Sequence, residues 1–183
     1  MPLSPEVIQS EFSRLFWSAV VVCTLPVLFL AGSLVASVWL LLTAEQTPAT
    51  TRAFWLTLFC VATGFLGSSL SALISAADRI SNGWETSNGG KWPKNAKKED
   101  RFGSRMVGWF LVRPLLGAAM GFLVYIGVVG GYLIAVVATT KPPSPGDFNP
   151  YALGFLSLLG GLFAKTFLER LKDAFDTLFG KKD

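Results

Sequence analysis

The hydrophobic residues of this chain lie in long blocks and do not alternate with polar residues. Four blocks have at least about the length that a helix needs to cross a bilayer, which is roughly 20 residues. They run from Leu15 to Thr43, from Ala53 to Ala77, from Met106 to Ala138 and from Tyr151 to about Leu168. We therefore expect an all-α membrane protein with four transmembrane helices.

Polar segments separate these blocks and complete the predicted organisation. We expect an N-terminal amphipathic segment (1–14), span one (15–43), span two (53–77), a basic loop (78–105), span three (106–138), span four (150–168) and a C-terminal amphipathic helix with a tail (169–183). Ser4 and Pro5 are typical of a helix cap and first turn, so the N-terminal segment is predicted to run into span one. Asn149 and Pro150 predict the start of span four in the same way.

The distribution of charge predicts an orientation. The chain has 183 residues, of which 51% are hydrophobic and 15% are charged, and its formal net charge is +4. Lys and Arg cluster in the 78–105 loop and in the C-terminal tail, whereas the other two connections hold only Arg52 and Lys141. Because positive charge stays on the cytoplasmic side, both termini and the long loop are expected in the cytoplasm.

Histidine and several motifs that many enzymes use are missing from this sequence. It contains no histidine, no C-x-x-C pair and no phosphate-binding G-x-x-x-x-G-K-[ST] motif. No span places a pair of carboxylates at its middle, as an intramembrane aspartyl protease would need. We expect the protein not to be an enzyme and to need neither a cofactor nor a metal ion.

One heptad stripe runs through the fourth span and the segment that follows it. Its members are small in the membrane half and large in the polar half: Gly154, Ser157, Gly161, Ala164, Leu168, Leu171, Phe175 and Leu178. We expect one long fourth helix that extends into the cytoplasm. Self-association through this stripe predicts a homo-oligomer, taken as a tetramer, with the small residues around a pore and the large residues as its apolar gate. The alternative is that residues 168–179 lie flat on the inner membrane surface.

Small and weakly polar residues also form one face of span two. Gly64, Ser68, Ser71, Ser75 and Asp78 follow a spacing of 4, 3, 4 and 3 residues. This pattern favours close helix packing, and the alternative is a wetted pore wall.

Arg113 is the one charge in the predicted third span, where an isolated cation is costly. We expect an inner-leaflet ion pair with Asp78. The alternative is that Arg113 reaches the phosphate of a membrane lipid.

The loop between spans two and three combines a turn signal with a basic run. Trp84 and Trp92 flank the pair Asn88-Gly89, which predicts a short hairpin. The basic residues are Lys91, Lys94, Lys97, Lys98, Arg101 and Arg105. Such a run favours a topology signal that contacts anionic lipid, and the alternative is a site for a nucleotide or single-stranded nucleic acid.

Three stretches, ADRISNGWE, RPLLGAAMGFLVY and FAKTFLERLKDAFDTLF, resemble small four-span bacterial membrane proteins of mostly unknown function. Proteins of this layout are similar to membrane effectors of phage-defence operons, including the channel-forming effector of Hailong-type systems, which a DNA oligomer holds shut. The resemblance implies a homo-oligomeric pore in the bacterial inner membrane, controlled from the cytoplasm, but it assigns no ligand residue. The predicted function is an anti-phage channel effector, and the alternative is a scaffold or regulatory subunit that binds another protein through its C-terminal helix.

Overall fold

A computed structural model describes residues 5–85, 91–92, 102–103, 106–130 and 149–180. In these ranges the chain forms helices and a small hairpin: α1 (Pro5–Gln46), α2 (Ala49–Asn82), β1 (Trp84–Glu85), β2 (Lys91–Trp92), α3 (Val107–Val129), α4 (Pro150–Leu162) and α5 (Ala164–Phe179). Helices α1, α2 and α3 are each long and apolar enough to cross a membrane, and α4 with the start of α5 makes a fourth candidate. The fold is that of a membrane-embedded helical protein.

Helix α1 is continuous from Pro5, so the N-terminal segment does run into the first span, as predicted. Its buried side chains form a stripe at spacings of three, four and seven residues: Leu15, Ala19, Val22, Pro26, Ser33, Ser37, Leu40 and Ala44. A stripe with this period gives α1 one face for its neighbour α2 and leaves the other faces to lipid.

Helix α2 is the central element and contacts α1, α3 and α4. A Cβ atom added to Gly64 would overlap the backbone of Gly117 and Gly121 on α3, and one added to Gly67 would overlap the carbonyl of Leu158 on α4. Glycine therefore lets these backbones touch, as in small-xxx-small helix pairs. The packing interpretation of the small face of span two is confirmed at Gly64 and Ser68, which are both buried.

The bundle has two distinct ends. The turn end is where α1 ends and α2 begins, and the hairpin end is where α2 ends and α3 begins. At the turn end, the hydroxyl of Tyr125 donates to the Ala53 carbonyl at 3.1 Å, and that of Tyr151 donates to Glu45 Oε1 at 3.2 Å. Asn149 caps α4, as predicted, because its side chain accepts from the Tyr151 N–H at 2.9 Å.

The expectation of one long fourth helix is wrong. The chain bends by 67° between Pro150–Leu162 and Ala164–Arg170, and Phe163 at the bend has φ −99° and ψ 10°. The glycine pair that precedes the bend, Gly160 and Gly161, supplies a physical reason, because sharp kinks occur at such pairs. At 13 residues, α4 alone is about 20 Å long and is too short to cross the hydrocarbon core.

The start of the third span and the hairpin in the loop agree with the sequence pattern. Helix α3 begins at Val107 as expected and is described to Val129, whereas residues 131–148 lie outside the described ranges. The predicted hairpin is confirmed, since Trp84 pairs with Trp92 in an antiparallel register.

Candidate functional site

The base of the hairpin is docked into the hairpin end of the bundle. Phe102 is fully buried, its N–H donates to the Gly83 carbonyl at 2.9 Å, and its ring contacts Trp84 edge to face at 5.7 Å between centroids. It packs in a cluster contributed by α1, α2 and α3: Ala19, Val22, Ala72, Ala76 and Phe110. The sequence analysis missed Phe102, although an aromatic residue that follows a basic run in a polar loop is a signal for such an anchor.

Gly83 makes this docking possible. Its φ of 117° and ψ of −179° lie in a region of backbone space that is essentially restricted to glycine. Helix α2 therefore ends before Gly83, and the chain turns there so that Trp84 lies beside Phe102. The backbones of Trp84 and Phe102 form a β-bridge.

Two reciprocal hydrogen bonds join α2 to α3 beside this base. The Ser68 hydroxyl donates to the Arg113 carbonyl at 2.6 Å, and Arg113 Nη1 donates to the Ser71 carbonyl at 3.3 Å. Arg113 is only 8% exposed. Its guanidinium therefore stays inside the helix pair and reaches along α2 toward the hairpin end.

The predicted ion pair between Asp78 and Arg113 is not formed. Asp78 is exposed, and the ion pair found in the described part of the chain joins Lys165 to Glu169 at 3.5 Å. Asp78 lies two turns after Ser71 on α2, a rise of about 10 Å. The guanidinium of Arg113 instead donates to the nearer Ser71 carbonyl and does not pair with the Asp78 carboxylate.

Helix α5 contacts α3, so its first turns lie beside the bundle. Arg113 on α3, Arg79 on α2 and Glu169 on α5 are among the charged residues of this region that the structure describes. Arg79 also donates to the Met106 sulfur at 3.3 Å, just before α3. The hairpin end therefore combines cations on α2 and α3 with the first turns of α5. The sequence analysis did not predict that Glu169 on α5 would lie near these cations.

The four small residues assigned to a pore wall are buried within their own chain, and this corrects the prediction. A Cβ on Gly154 would meet the Phe59 ring, and one on Gly161 would overlap the Gly64 carbonyl. Ser157 and Ala164 are also buried. The physical reason is that the small residues of the stripe pack closely against α2 of the same chain. They are therefore not accessible for contact with a second copy.

The gate residues on α5 are described only in part. Leu168 is 38% exposed, and its neighbour Phe167 is 48% exposed. The side chains of Leu171, Phe175 and Leu178 lie outside the described residues, and the gate stays a prediction.

The outer surface of the described helices is apolar at membrane depth. Large exposed side chains include Leu28, Val35, Leu115, Leu123 and Phe155. Buried hydroxyl groups lie inside the bundle at Ser33, Ser37, Thr63, Ser68, Ser69 and Ser157. The described helices thus present a largely apolar outer surface, as a bundle in lipid requires.

The predicted polyanion site falls almost wholly outside the described residues. Lys91 contributes its backbone to β2, and the other five members, Lys94, Lys97, Lys98, Arg101 and Arg105, are outside those ranges. What the structure adds is the docked base that holds the start and end of this loop. The binding of a polyanion stays a prediction.

No family model matches the sequence, and no curated protein or solved structure matches it.

Proposed function

We propose that this protein is a non-catalytic membrane subunit that presents α5 and the basic loop to a partner protein. The observation that carries this proposal is the 67° bend at Phe163, which turns an amphipathic helix away from a bundle that already packs its own small residues. The bundle then serves as the membrane anchor, and α5 serves as the contact element.

The charge distribution supports a cytoplasmic position for both elements. The loop between α2 and α3 holds six of the 16 Lys and Arg residues, and the positive-inside rule assigns such a loop to the cytoplasm. Helix α5 follows α4 to the same end of the bundle. This orientation, in an inner membrane, puts α5 and the loop within reach of soluble proteins.

The polar face of α5 favours a protein over the lipid surface as its partner. Surface-bound membrane helices are usually rich in Lys and Arg on the polar face. Helix α5 instead balances Lys165, Arg170 and Lys172 against Glu169, Asp173 and Asp176. A mixed-charge face can pair with another protein, and its apolar face can pack in a groove or against a second helix.

A homo-oligomeric channel effector is the second candidate function. The small residues of the heptad stripe pack against α2 of the same chain. Helix α5 carries the large residues of the stripe, which are Leu168, Leu171, Phe175 and Leu178. In addition, an open apolar groove of about 430 Å³ lies between α1 and α2, with Gly32, Ala36 and Ala62 among its lining residues. Small residues on both walls allow a helix of another copy to approach closely.

The experiment that separates the two functions measures mass and conductance together. The purified chain in nanodiscs is expected to have the mass of one 19.8 kDa copy, and in planar bilayers it is expected not to conduct. A closed ring of copies that conducts ions would overturn the subunit proposal and establish the channel. Addition of single-stranded DNA or nucleotides to the same bilayers tests whether a polyanion controls that conductance.

A further inference from the structure

Helix α4 ends beside the middle of α2. A Cβ atom added to Gly67 would overlap the Leu158 carbonyl and lie 3.0 Å from the Leu162 nitrogen. Gly67 therefore marks the depth in the bundle at which the chain leaves α4. Arg52 and Asp78 bound the uncharged stretch of α2. At about 1.5 Å per residue, Gly67 lies about 22 Å from Arg52 and about 16 Å from Asp78.

The bend keeps the start of α5 near this depth. Because the two segments differ in direction by 67°, each residue of α5 advances only about 0.6 Å along the direction of α4, which packs along α2. Glu169 therefore lies about 3–4 Å beyond the bend, whereas Asp78 lies about 16 Å beyond Gly67. The first charges of α5 thus lie roughly 12 Å short of the level at which α2 regains a charge.

These charges are on the outer surface of the protein. Lys165 and Glu169 pair at 3.5 Å, and their side chains are 44% and 60% exposed. At a similar depth on α3, Leu115 is exposed between Arg113 and Gly117, which both contact Ser68.

Helix α2 has an exposed apolar residue even closer to the hairpin end. Ile74 lies one turn before Asp78 and is exposed. At one depth, the described surface is therefore apolar beside α2 and α3 and charged beside α5.

A flat bilayer cannot suit both surfaces. If it covered the uncharged stretch of α2, the pair of Lys165 and Glu169 would lie in its hydrocarbon, which is costly for both charges. A lysine side chain can extend toward the headgroups, but a glutamate side chain is too short to cross roughly 12 Å. Membranes relieve such a mismatch by thinning locally and admitting water.

We infer that the bilayer is thinned beside α5, where phospholipid headgroups and their water bend inward to meet the first turns of this helix. Beside α2 the headgroups stay at the level of Asp78. The protein thus deforms the membrane on one side. This inference goes beyond the proposed function, since it depends neither on a partner of α5 nor on which side of the membrane the hairpin end faces.

The test measures how fast a membrane-impermeant thiol reagent modifies single cysteines of the full chain in nanodiscs, where both bilayer faces meet water. Cys23 is replaced with Ala, and the buried Cys60 is kept and measured as the background. Because the thiolate is the reactive form, Glu169→Cys is expected to react at least about tenfold faster than Ile74→Cys. Asp78→Cys is the positive control and is expected to react fast.

A spin label distinguishes headgroups from water alone. A lipid with a nickel-chelating headgroup is expected to relax a label on Glu169→Cys as strongly as one on Asp78→Cys. The matched control is Leu115→Cys, whose label lies at a similar depth beside α3 and is expected to be relaxed less. All of these positions are exposed, so the substitutions leave the packing of the bundle intact.

Three results would overturn the inference. Slow modification of both Glu169→Cys and Ile74→Cys shows that a flat bilayer covers α5. Equally fast modification of both shows that the undisturbed surface lies at the level of α5 and that the end of α2 projects from the membrane. Fast modification of Glu169→Cys without relaxation by the nickel lipid shows a water-filled crevice and not a thinned bilayer.

Discussion

Gly161 on α4 packs directly against the backbone of Gly64 on α2. The same Gly64 contacts Gly117 and Gly121 on α3, so three helices meet at one glycine. Without Cβ atoms at this point, the backbones approach closely and gain dispersion contacts that lipid tails cannot supply. The junction also fixes the depth at which α4 is held before the chain bends at Phe163.

The junction predicts an unequal response to two Gly→Ala changes. Gly161→Ala is expected to lower the free energy of unfolding by about 1–3 kcal/mol, because its methyl group would overlap the Gly64 carbonyl and force a backbone shift. Gly32→Ala is the matched control, since no atom lies within 4 Å of an added Cβ on this α1 residue. Unfolding in mixed micelles measures both variants, and equal losses would show that the contact at Gly161 does not hold the helices together.

Ser68 and its neighbour Ser69 give a second matched pair. Both are buried, but the Ser68 hydroxyl reaches the Arg113 carbonyl on α3, whereas that of Ser69 donates to Phe65 on its own helix at 2.8 Å. Ser68→Ala is expected to lower the free energy of unfolding by about 1 kcal/mol, which is typical of one hydrogen bond between helices. Ser69→Ala is expected to cost less. A larger loss in Ser69→Ala would mean that the bond from Ser68 does not couple α2 to α3.

The spans and the hairpin could be predicted from the sequence because each depends on neighbouring residues. A block of apolar residues predicts a membrane helix, and the Asn88-Gly89 pair between Trp84 and Trp92 predicts the hairpin that β1 and β2 form. The cap at Asn149 is local in the same sense and was also predicted correctly.

The partners of the small stripe could not be predicted, since periodicity identifies a contacting face without identifying what it contacts. Gly154, Ser157 and Gly161 have the same pattern whether they pack on α2 of their own chain or on another copy. The bend at Phe163 follows the glycine pair Gly160 and Gly161, but membrane helices also tolerate glycine without bending, so the sequence did not predict it. Arg113 donates to a backbone carbonyl on α2. Every residue has a backbone carbonyl, so the sequence does not show which one accepts this hydrogen bond.

Gly83 predicts how firmly the basic loop is attached to the bundle. Gly83→Ala places a side chain in a backbone region essentially restricted to glycine, at a cost of about 1–3 kcal/mol. The hydrogen bond from the Phe102 N–H to the Gly83 carbonyl is expected to weaken, so hydrogen exchange at Phe102 should become faster. Gly108→Ala on α3 is the control, because an added Cβ there meets open space. Unchanged exchange at Phe102 in Gly83→Ala would show that the loop base is held by other contacts.

The basic loop predicts a salt-dependent interaction if a polyanion is its ligand. Replacing Lys94, Lys97, Lys98 and Arg101 with Gln is expected to weaken binding of single-stranded DNA. The slope of log K against log salt is expected to fall by about 3, because each contact with single-stranded nucleic acid contributes roughly 0.7. The control replaces Lys165, Arg170 and Lys172 on α5, which removes cations from the same end of the bundle. Unaltered binding in the loop variant would identify the basic run as a topology signal alone.

The apolar face of α5 predicts that its association in native membranes is sensitive to single charges. Leu171→Asp and Phe175→Asp place a carboxylate on the face formed by the heptad stripe, where a protein contact would have to bury it unpaired. Thr177→Asp adds the same charge to an exposed position of the same helix and is the matched control. Native gels of membranes solubilised in mild detergent should show the unaltered chain in a complex larger than its own 19.8 kDa. The two stripe variants should lose that complex and Thr177→Asp should keep it, because only the stripe is buried by a partner. If all three variants migrate as the unaltered chain does, α5 is not an assembly element, and its apolar face is then assigned to the membrane surface.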